Sequence, residues 1–148
     1  MNKDYRSQQL EQLANQQMRF APIEKRIEQT NRAEILLREI NASTTYSYEY
    51  LCFKITDYRP SNSEIEAILG EDVIHDLHLL VEDLSESANL RADEIGEPVH
   101  TVDELSKMFS VSTKTISRWR RQGLVSRKLI FDRGRKRVGF LRSSVDYF

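Results

Sequence analysis

The stretch that most constrains this fold is residues 101–142, where signals for helix ends follow one another closely. Thr101 and Glu104 have the S/T-x-x-E spacing of a capping box, in which each side chain accepts a hydrogen bond from the backbone N–H of the other residue. Leu105 and Phe109 are four residues apart and therefore share one face of the following helix. The pattern predicts a short helix that begins just after Thr101.

A second short helix is predicted after a tight turn. Ser112 is its N-cap candidate, because the hydroxyl oxygen can accept from an unpaired N–H of the first turn. Gly123 stands where the helix should end, since glycine adopts a left-handed conformation without strain. Ile116 and Trp119 are three residues apart and face inward, so we expect Trp119 to pack in the core rather than to stack on a base.

The outward face of this second helix combines positive charge with hydrogen-bonding groups and contains no acidic residue. Its members are Thr113, Lys114, Ser117, Arg118, Arg121 and Gln122. Such a helix fits the major groove of DNA, where arginine recognises guanine and glutamine recognises adenine. We therefore predict that these residues bind duplex DNA.

After Gly123 the spacing of apolar residues changes from helical to β. Residues 129–131 suit a strand, residues 132–136 a turn and residues 137–141 a returning strand. A hairpin in this position would be the wing of a winged helix-turn-helix. Its basic tip is predicted to contact phosphates or a minor groove. The tip residues are Arg133, Arg135, Lys136 and Arg137.

The net charge of −1 for the 148 residues conceals an uneven distribution. Residues 99–148 contain 12 Lys and Arg against 4 Asp and Glu, whereas residues 1–98 contain 10 against 19. The basic part has the electrostatic character of a polyanion binder, and the acidic part is a separate module. The single cysteine, Cys52, excludes an internal disulfide and a cysteine-based zinc site, and it agrees with a cytoplasmic location. No apolar run approaches the roughly 20 residues of a membrane span.

The acidic part is predicted to be mostly helical. Residues 1–20 have too few apolar side chains to define a face, so we expect a flexible or frayed helical arm. Residues 21–95 are predicted to form an acidic helical domain, whose first helix starts at Pro22 and continues to about Asn41. In residues 46–55 the apolar spacing favours a helix, while the β-forming residues leave a strand open.

Further along, Ser63 is the N-cap candidate of a short helix through Leu69, and Gly70 is predicted to break it. Residues 72–87 have an apolar face wide enough for a core helix. Residues 89–97 are charged and contain a glycine, so we predict a short linker there.

No motif points to catalysis. The chain has neither a glycine-rich phosphate loop nor paired catalytic carboxylates, so we predict no enzyme activity, no cofactor and no small-molecule substrate. His75 and His78, with Asp76 and Glu82, outline a metal site that lacks a further strong ligand, and solvated helix histidines are commoner. Cys52 is predicted to be a buried structural thiol. An acidic surface is predicted to be solvated, formed by Glu64, Glu66, Glu71, Asp72, Asp76, Glu82, Asp83 and Glu86.

Residues 101–148 resemble the excisionase and MerR-like winged-helix DNA-binding module. The matching segments are Thr101-Val102-Asp103-Glu104-Leu105, Val111-Ser112-Thr113-Lys114-Thr115-Ile116-Ser117-Arg118-Trp119, Gly123, Gly134-Arg135-Lys136-Arg137 and Ser143-Ser144-Val145-Asp146-Tyr147-Phe148. The expected fold class is therefore mostly α, with a small helical N-terminal domain followed by a winged helix-turn-helix that has a two-stranded β-hairpin wing. This DNA-binding domain would cover residues 96–148. Ser143 would cap a last helix of about one turn, too short to be stable alone, so we expect the natural protein to continue past Phe148.

Five segments of the acidic part resemble the N-terminal extension of a group of bacterial sigma-70-family RNA polymerase factors. They are Arg19-Phe20-Ala21-Pro22, Asn31-Arg32-Ala33-Glu34, Tyr48-Glu49-Tyr50-Leu51-Cys52, Ile55-Thr56-Asp57-Tyr58-Arg59-Pro60 and His75-Asp76-Leu77. In that group the helix-turn-helix precedes the ordinary sigma regions, and the resemblance implies a role in transcription initiation. No stretch resembles the core sigma regions, so contacts to the RNA polymerase core are expected beyond Phe148.

Two other functions stay open at this point. The chain could be an adaptor, whose winged module is a docking surface for RNA polymerase or an anti-sigma protein. It could also be a free-standing transcriptional regulator or recombination directionality factor of the excisionase or MerR-like kind.

Overall fold

The computed structural model describes residues 4–60 and 67–148, and the chain divides into an N-terminal unit, Met1–Ala88, and a C-terminal unit, Asn89–Phe148. Seven α-helices lie within the described residues, and the prediction of a mostly helical chain is confirmed. Two small antiparallel sheets have two and three strands. No helix in this part of the chain has the length and apolarity that crossing a membrane requires.

Helix α4 (Gly70–Ser87) is the central helix of the N-terminal unit. Helices α1 (Gln8–Phe20) and α2 (Ile23–Leu37) pack against it, and α3 (Tyr48–Thr56) packs against α2. Strands β1 (Thr45–Ser47) and β2 (Ala67–Leu69) form an antiparallel pair. The side of α4 that faces the core is the one that its helical period predicts. Its buried apolar residues are Val73, Leu77, Leu80, Val81 and Leu84.

The prediction of a flexible or frayed arm over residues 1–20 is wrong for the described part of that segment. Ser7 caps α1, because its hydroxyl oxygen accepts from the Leu10 N–H at 3.3 Å. Leu10, Leu13 and Ala14 are buried. Three apolar residues at helical spacing are enough to hold α1 in place, because α1 packs against α4, which has a large apolar face.

Two buried carboxylates of α4 hold the residues that precede α1. Asp76 is fully buried, and its two oxygens accept from the backbone N–H groups of Arg6 and Ser7 at 2.9 and 2.8 Å. The Tyr5 hydroxyl donates to Asp83 Oδ2 at 2.7 Å. The prediction that Asp76 and Asp83 belong to a solvated acidic surface is therefore wrong, whereas Glu71 of the same set is exposed.

The aromatic segment over residues 46–55 contains both of the structures that its sequence left open. A strand ends at Ser47 and a helix begins at Tyr48, because the Ser47 hydroxyl accepts from the Tyr50 N–H at 3.1 Å and caps the helix. Helix α2 ends at Leu37, four residues before the predicted end.

Residues 67–69 form strand β2, so the prediction of a helix through Leu69 is wrong there. Its N-cap candidate Ser63 lies outside the described residues, as do Glu64 and Glu66 of the acidic set. Gly70 is the first residue of α4 rather than a break. A Cβ atom at Gly70 would lie 1.9 Å from the Asn41 carbonyl oxygen, so this close approach of two backbones requires glycine.

The C-terminal unit combines three helices with a three-stranded antiparallel sheet. The helices are α5 (Val102–Phe109), α6 (Thr113–Gln122) and α7 (Arg142–Tyr147). The strands are β3 (Val99–Thr101), β4 (Arg127–Ile130) and β5 (Lys136–Leu141), and β5 lies between the other two. Strand β3 was not predicted. The core of the unit contains Leu105, Ile116, Leu124 and Phe140.

Residues 89–97 belong to the C-terminal unit, and their prediction as a linker with a boundary near residue 95 is wrong. Leu90 is buried, and its carbonyl oxygen accepts from the Ile130 N–H at 2.9 Å. The Glu97 carboxylate accepts from the backbone N–H of Ser143 at 2.7 Å and from its hydroxyl at 3.0 Å. Helix α7 begins one residue before Ser143, so Ser143 is not its N-cap, and Glu97 satisfies donors of the first turn instead.

Candidate nucleic-acid interface

Helix α5 begins at the predicted capping box. The Thr101 N–H donates to Glu104 Oε1 at 2.8 Å, and the Glu104 N–H donates to the Thr101 hydroxyl at 3.2 Å. The helix ends at Phe109, and the next residue, Ser110, has a φ of 53°, which lies in the left-handed region. The Val111 N–H then donates to the Ser106 carbonyl at 3.0 Å. These bonds fix the tight turn that leads into α6.

Both predicted ends of helix α6 are confirmed. The Ser112 hydroxyl accepts from the Thr115 N–H at 3.2 Å and caps the N-terminus. Gly123 follows the last helical residue with a φ of 127°, which side chains with a Cβ rarely adopt. The Leu124 N–H donates to the Trp119 carbonyl at 2.9 Å, which satisfies a carbonyl of the last turn.

Trp119 attaches α6 to the core, as predicted. Its ring meets Phe109 edge-to-face at 5.7 Å between centroids and lies 6.1 Å from the Phe148 ring. It also packs against the core residues of the unit. Since Ile116 on the same side is fully buried, the rotation of α6 about its axis is fixed.

All six residues predicted to face outward from α6 are exposed: Thr113, Lys114, Ser117, Arg118, Arg121 and Gln122. Within the part of the chain that the structure describes, the cationic groups of Lys114, Arg118 and Arg121 make no ion pair or hydrogen bond. Their charges are therefore available to an external anion or hydrogen-bond acceptor.

The hairpin formed by β4 and β5 is confirmed, and its turn has the predicted length but lies one residue earlier, at residues 131–135. Ile130 is opposite Lys136, and the Phe131 N–H donates to the Arg135 carbonyl at 2.8 Å. Arg133 has a φ of 66° in this turn. Phe131 lies close to Gly139 of β5, where an added Cβ would be 3.0 Å from its ring. The turn is thus held by backbone bonds and by packing across the hairpin.

The four predicted tip residues, Arg133, Arg135, Lys136 and Arg137, are all exposed. They do not share one environment. Arg135 and Arg137 line a groove of mixed charge that carboxylates also line, among them Asp93, Asp103 and Asp132. We expect the positive potential near Arg135 and Arg137 to be weaker for that reason. The sequence did not indicate this groove, because its members come from three separate segments.

Other candidate sites have structural explanations. His75 Nδ1 lies 2.9 Å from Asp76 Oδ1, but the Asp76 carboxylate already accepts two backbone N–H groups. The described residues contain no group of three or more His, Cys, Asp or Glu placed to hold a metal ion. Cys52 is buried, and its sulfur lies 3.7 Å from the Thr56 hydroxyl oxygen. Burial also raises the pKa of the neighbouring Tyr48 hydroxyl.

No protein-family model matches this chain, and comparisons with curated proteins and with solved structures also find no match. Function is therefore inferred from the residues of the site.

Proposed function

We propose that residues 96–148 form a winged helix-turn-helix that binds duplex DNA with sequence preference. The observation that carries the proposal is the outward face of α6, on which Lys114, Arg118 and Arg121 are exposed and make no ion pair with any residue that the structure describes. Exposed cations that lie close together without ion-pair partners repel one another and favour an anionic partner.

Each element has a distinct role in this proposal. Helix α6 enters the major groove, which is wide enough to admit an α-helix. Helix α5 fixes the angle of α6 through the tight turn and through the contact of Phe109 with Trp119. The hairpin tip contacts phosphates or an adjacent minor groove through Arg133 and Lys136, with Arg135 and Arg137 in a supporting position beside the mixed-charge groove.

A salt titration of the 148-residue protein on random duplex DNA tests this proposal. Each phosphate that the protein neutralises releases counterions, so log affinity falls with log salt by about 0.9 per contact. We expect a steep fall for the wild type and a slope shallower by about one unit for Lys136→Ala. Lys25→Ala is the matched control, because Lys25 is an exposed lysine of the N-terminal unit.

Two results would refute duplex binding by the C-terminal unit. One is the absence of binding at low salt, which would favour the adaptor function. The other is an equal change of slope in Lys136→Ala and Lys25→Ala, since binding would then depend on overall charge rather than on the hairpin tip.

We further propose that this DNA binding serves transcription initiation, in the N-terminal part of a sigma-70-like factor. Support for this step comes from the resemblance of the five segments of the acidic part named above. DNA sequences that the protein selects in vitro should then lie just upstream of transcription start sites in the genome of its source. Selected sequences that fall at random with respect to start sites would contradict the sigma-like role and would leave DNA binding intact.

A further inference from the structure

The six outward residues of α6 do not point in the same direction. Successive residues of an α-helix are turned by about 100°, so directions can be measured from the fully buried Ile116. Lys114, Arg118 and Arg121 lie within about 40° of the direction opposite Ile116. The remaining residues, Gln122, Ser117 and Thr113, lie about 60° to 120° away from that direction. The three cations thus form one central row, the basic ridge.

We infer that the basic ridge recognises guanines, so that the preferred duplex has two or three guanines within about four consecutive base pairs. This inference rests on the proposed binding of α6 in the major groove and specifies its target. The central direction of a helix in that groove faces the edges of the bases, whereas its flanks face the sugar–phosphate walls.

The spacing of the ridge sets the length of the target. With a rise of 1.5 Å per residue, Lys114 and Arg118 are separated by about 6 Å along the axis, and Arg118 and Arg121 by about 4.5 Å. The whole ridge therefore covers about 10.5 Å. Base pairs follow one another at about 3.4 Å, so the ridge extends over about three base-pair steps.

The chemistry of the ridge selects the base. Lysine and arginine side chains only donate hydrogen bonds, and guanine presents two acceptors, O6 and N7, in the major groove. Cytosine presents a donor there and needs an acidic partner, while adenine needs a side chain that both donates and accepts. The ridge contains neither type of partner. Within the described residues no carboxylate engages the guanidinium groups of Arg118 and Arg121, so both forks are available for paired hydrogen bonds.

The flanking residues have a different expected role. Ser117 and Gln122 lie on opposite sides of the ridge, where a helix in the groove meets the two backbones. Hydroxyl and amide groups in such places contact phosphate oxygens, which fixes the position of the helix without reading sequence. The outward set predicted from sequence therefore separates into three base-reading and three backbone-contacting residues.

Selection from random duplexes, followed by replacement of single atoms in the DNA, tests this inference. The 148-residue protein is used to enrich binding sequences, and each enriched guanine is then replaced by 7-deazaguanine, which pairs normally but lacks the N7 acceptor. We expect the affinity to fall about five- to tenfold at two or three adjacent positions, the lower part of the range for a bidentate contact, because O6 still accepts one of the two hydrogen bonds.

A protein variant that keeps the charge completes the test. Arg118→Lys retains a cation but loses the planar fork that matches O6 and N7 together, so it should weaken the preference for guanine at one position while leaving the salt dependence unchanged. Arg142→Lys is the matched control, because Arg142 lies in α7 and pairs with Asp146 at 3.2 Å. The control should retain the full preference.

The outcomes separate this inference from the proposed function. Salt-sensitive binding without guanine enrichment, or with no effect of 7-deazaguanine, would overturn guanine recognition and leave DNA binding intact. An Arg118→Lys variant that prefers guanine as strongly as the wild type at every position would also overturn it, since Arg118 would then hold a phosphate. A protein that binds no duplex at low salt would overturn the proposed function as well.

Discussion

The two units of this protein use their charged side chains in opposite ways. In the N-terminal unit, Asp76 and Asp83 are buried and accept hydrogen bonds from residues that precede α1. In the C-terminal unit, Lys114, Arg118 and Arg121 are exposed and have no partner among the described residues. Buried charges with their bonds satisfied stabilise a fold, whereas a row of exposed like charges stabilises nothing within the unit. This difference is the reason why we propose DNA binding for the C-terminal unit.

The charge totals agree with this comparison. The N-terminal unit has 9 Lys and Arg against 16 Asp and Glu, and the C-terminal unit has 13 against 7. Trp119, the single tryptophan of the chain, lies in the C-terminal unit and reports on it by fluorescence. Far-UV circular dichroism reports on all helices. The two signals together allow the stability of the units to be followed separately.

Removal of the buried Asp76 carboxylate should cause the largest loss of stability. Asp76→Ala removes the buried carboxylate that accepts from the Arg6 and Ser7 N–H groups, and we expect the free energy of unfolding of the N-terminal unit to fall by about 2–4 kcal/mol. In urea denaturation, the dichroism transition should shift and the Trp119 transition should not. Asp72→Ala is the control, because Asp72 forms a partly exposed salt bridge with Arg6 at 3.3 Å, worth about 1 kcal/mol or less. Equal effects of both variants would contradict the account of α1.

A smaller effect is expected at the end of α6. Gly123→Ala forces a residue with a Cβ into a φ of 127°, and we expect the C-terminal unit to lose about 1–2 kcal/mol. The Trp119 transition in urea measures this loss. Lys107→Ala, at an exposed position of α5, should change it by less than about 0.5 kcal/mol. An unchanged transition in Gly123→Ala would show that α6 does not end as described.

A substitution at Glu97 tests whether residues 89–97 stabilise the C-terminal unit. Glu97→Ala removes the acceptor of the Ser143 N–H and hydroxyl, so the C-terminal unit should lose about 1 kcal/mol, the usual value of a helix cap. The exposed Glu94 provides the control, and Glu94→Ala should leave the Trp119 transition unchanged. If neither Glu97→Ala nor Glu94→Ala changed the Trp119 transition, residues 89–97 would be better described as a linker.

The smallest expected change in stability is the loss at alkaline pH that ionisation of Tyr5 causes. Burial, together with the neighbouring carboxylate of Asp83, raises the pKa of Tyr5 above its ordinary value of 10.0. The folded state therefore holds this proton more tightly than the unfolded state. The stability from Tyr5 is complete below about pH 10 and is lost as the pH rises further. Denaturation in urea at pH 8 and pH 11 should show a smaller alkaline loss in Tyr5→Phe than in the wild type, and Tyr58→Phe, at an exposed position, should behave as the wild type.

The sequence predicted the parts of the fold whose signals are local. The capping box of α5, the Ser112 cap and the Gly123 stop each depend on residues within a few positions of one another. The parts that it missed depend on distant partners. The Tyr5 bond to Asp83 joins residues 78 apart, and strand β3 pairs with β5 about 40 residues later.

The candidate site also has one part that local sequence signals predict and another that depends on distant residues. Exposure of the α6 face followed from the helical positions of Ile116 and Trp119, which can be identified in the sequence. The placement of Arg135 and Arg137 beside a groove with carboxylates required three segments to meet. No local pattern indicates such a meeting.

Nuclear magnetic resonance of the ¹⁵N-labelled chain during titration with duplex DNA can show which unit binds, because it reports on the backbone amides of both units. We expect the chemical shifts to change in α6 and at residues 131–137 of the hairpin. Amides of α1 to α4 should stay unchanged. Changes confined to the N-terminal unit, or no changes at a DNA concentration well above that of the protein, would contradict the assignment of duplex binding to the C-terminal unit.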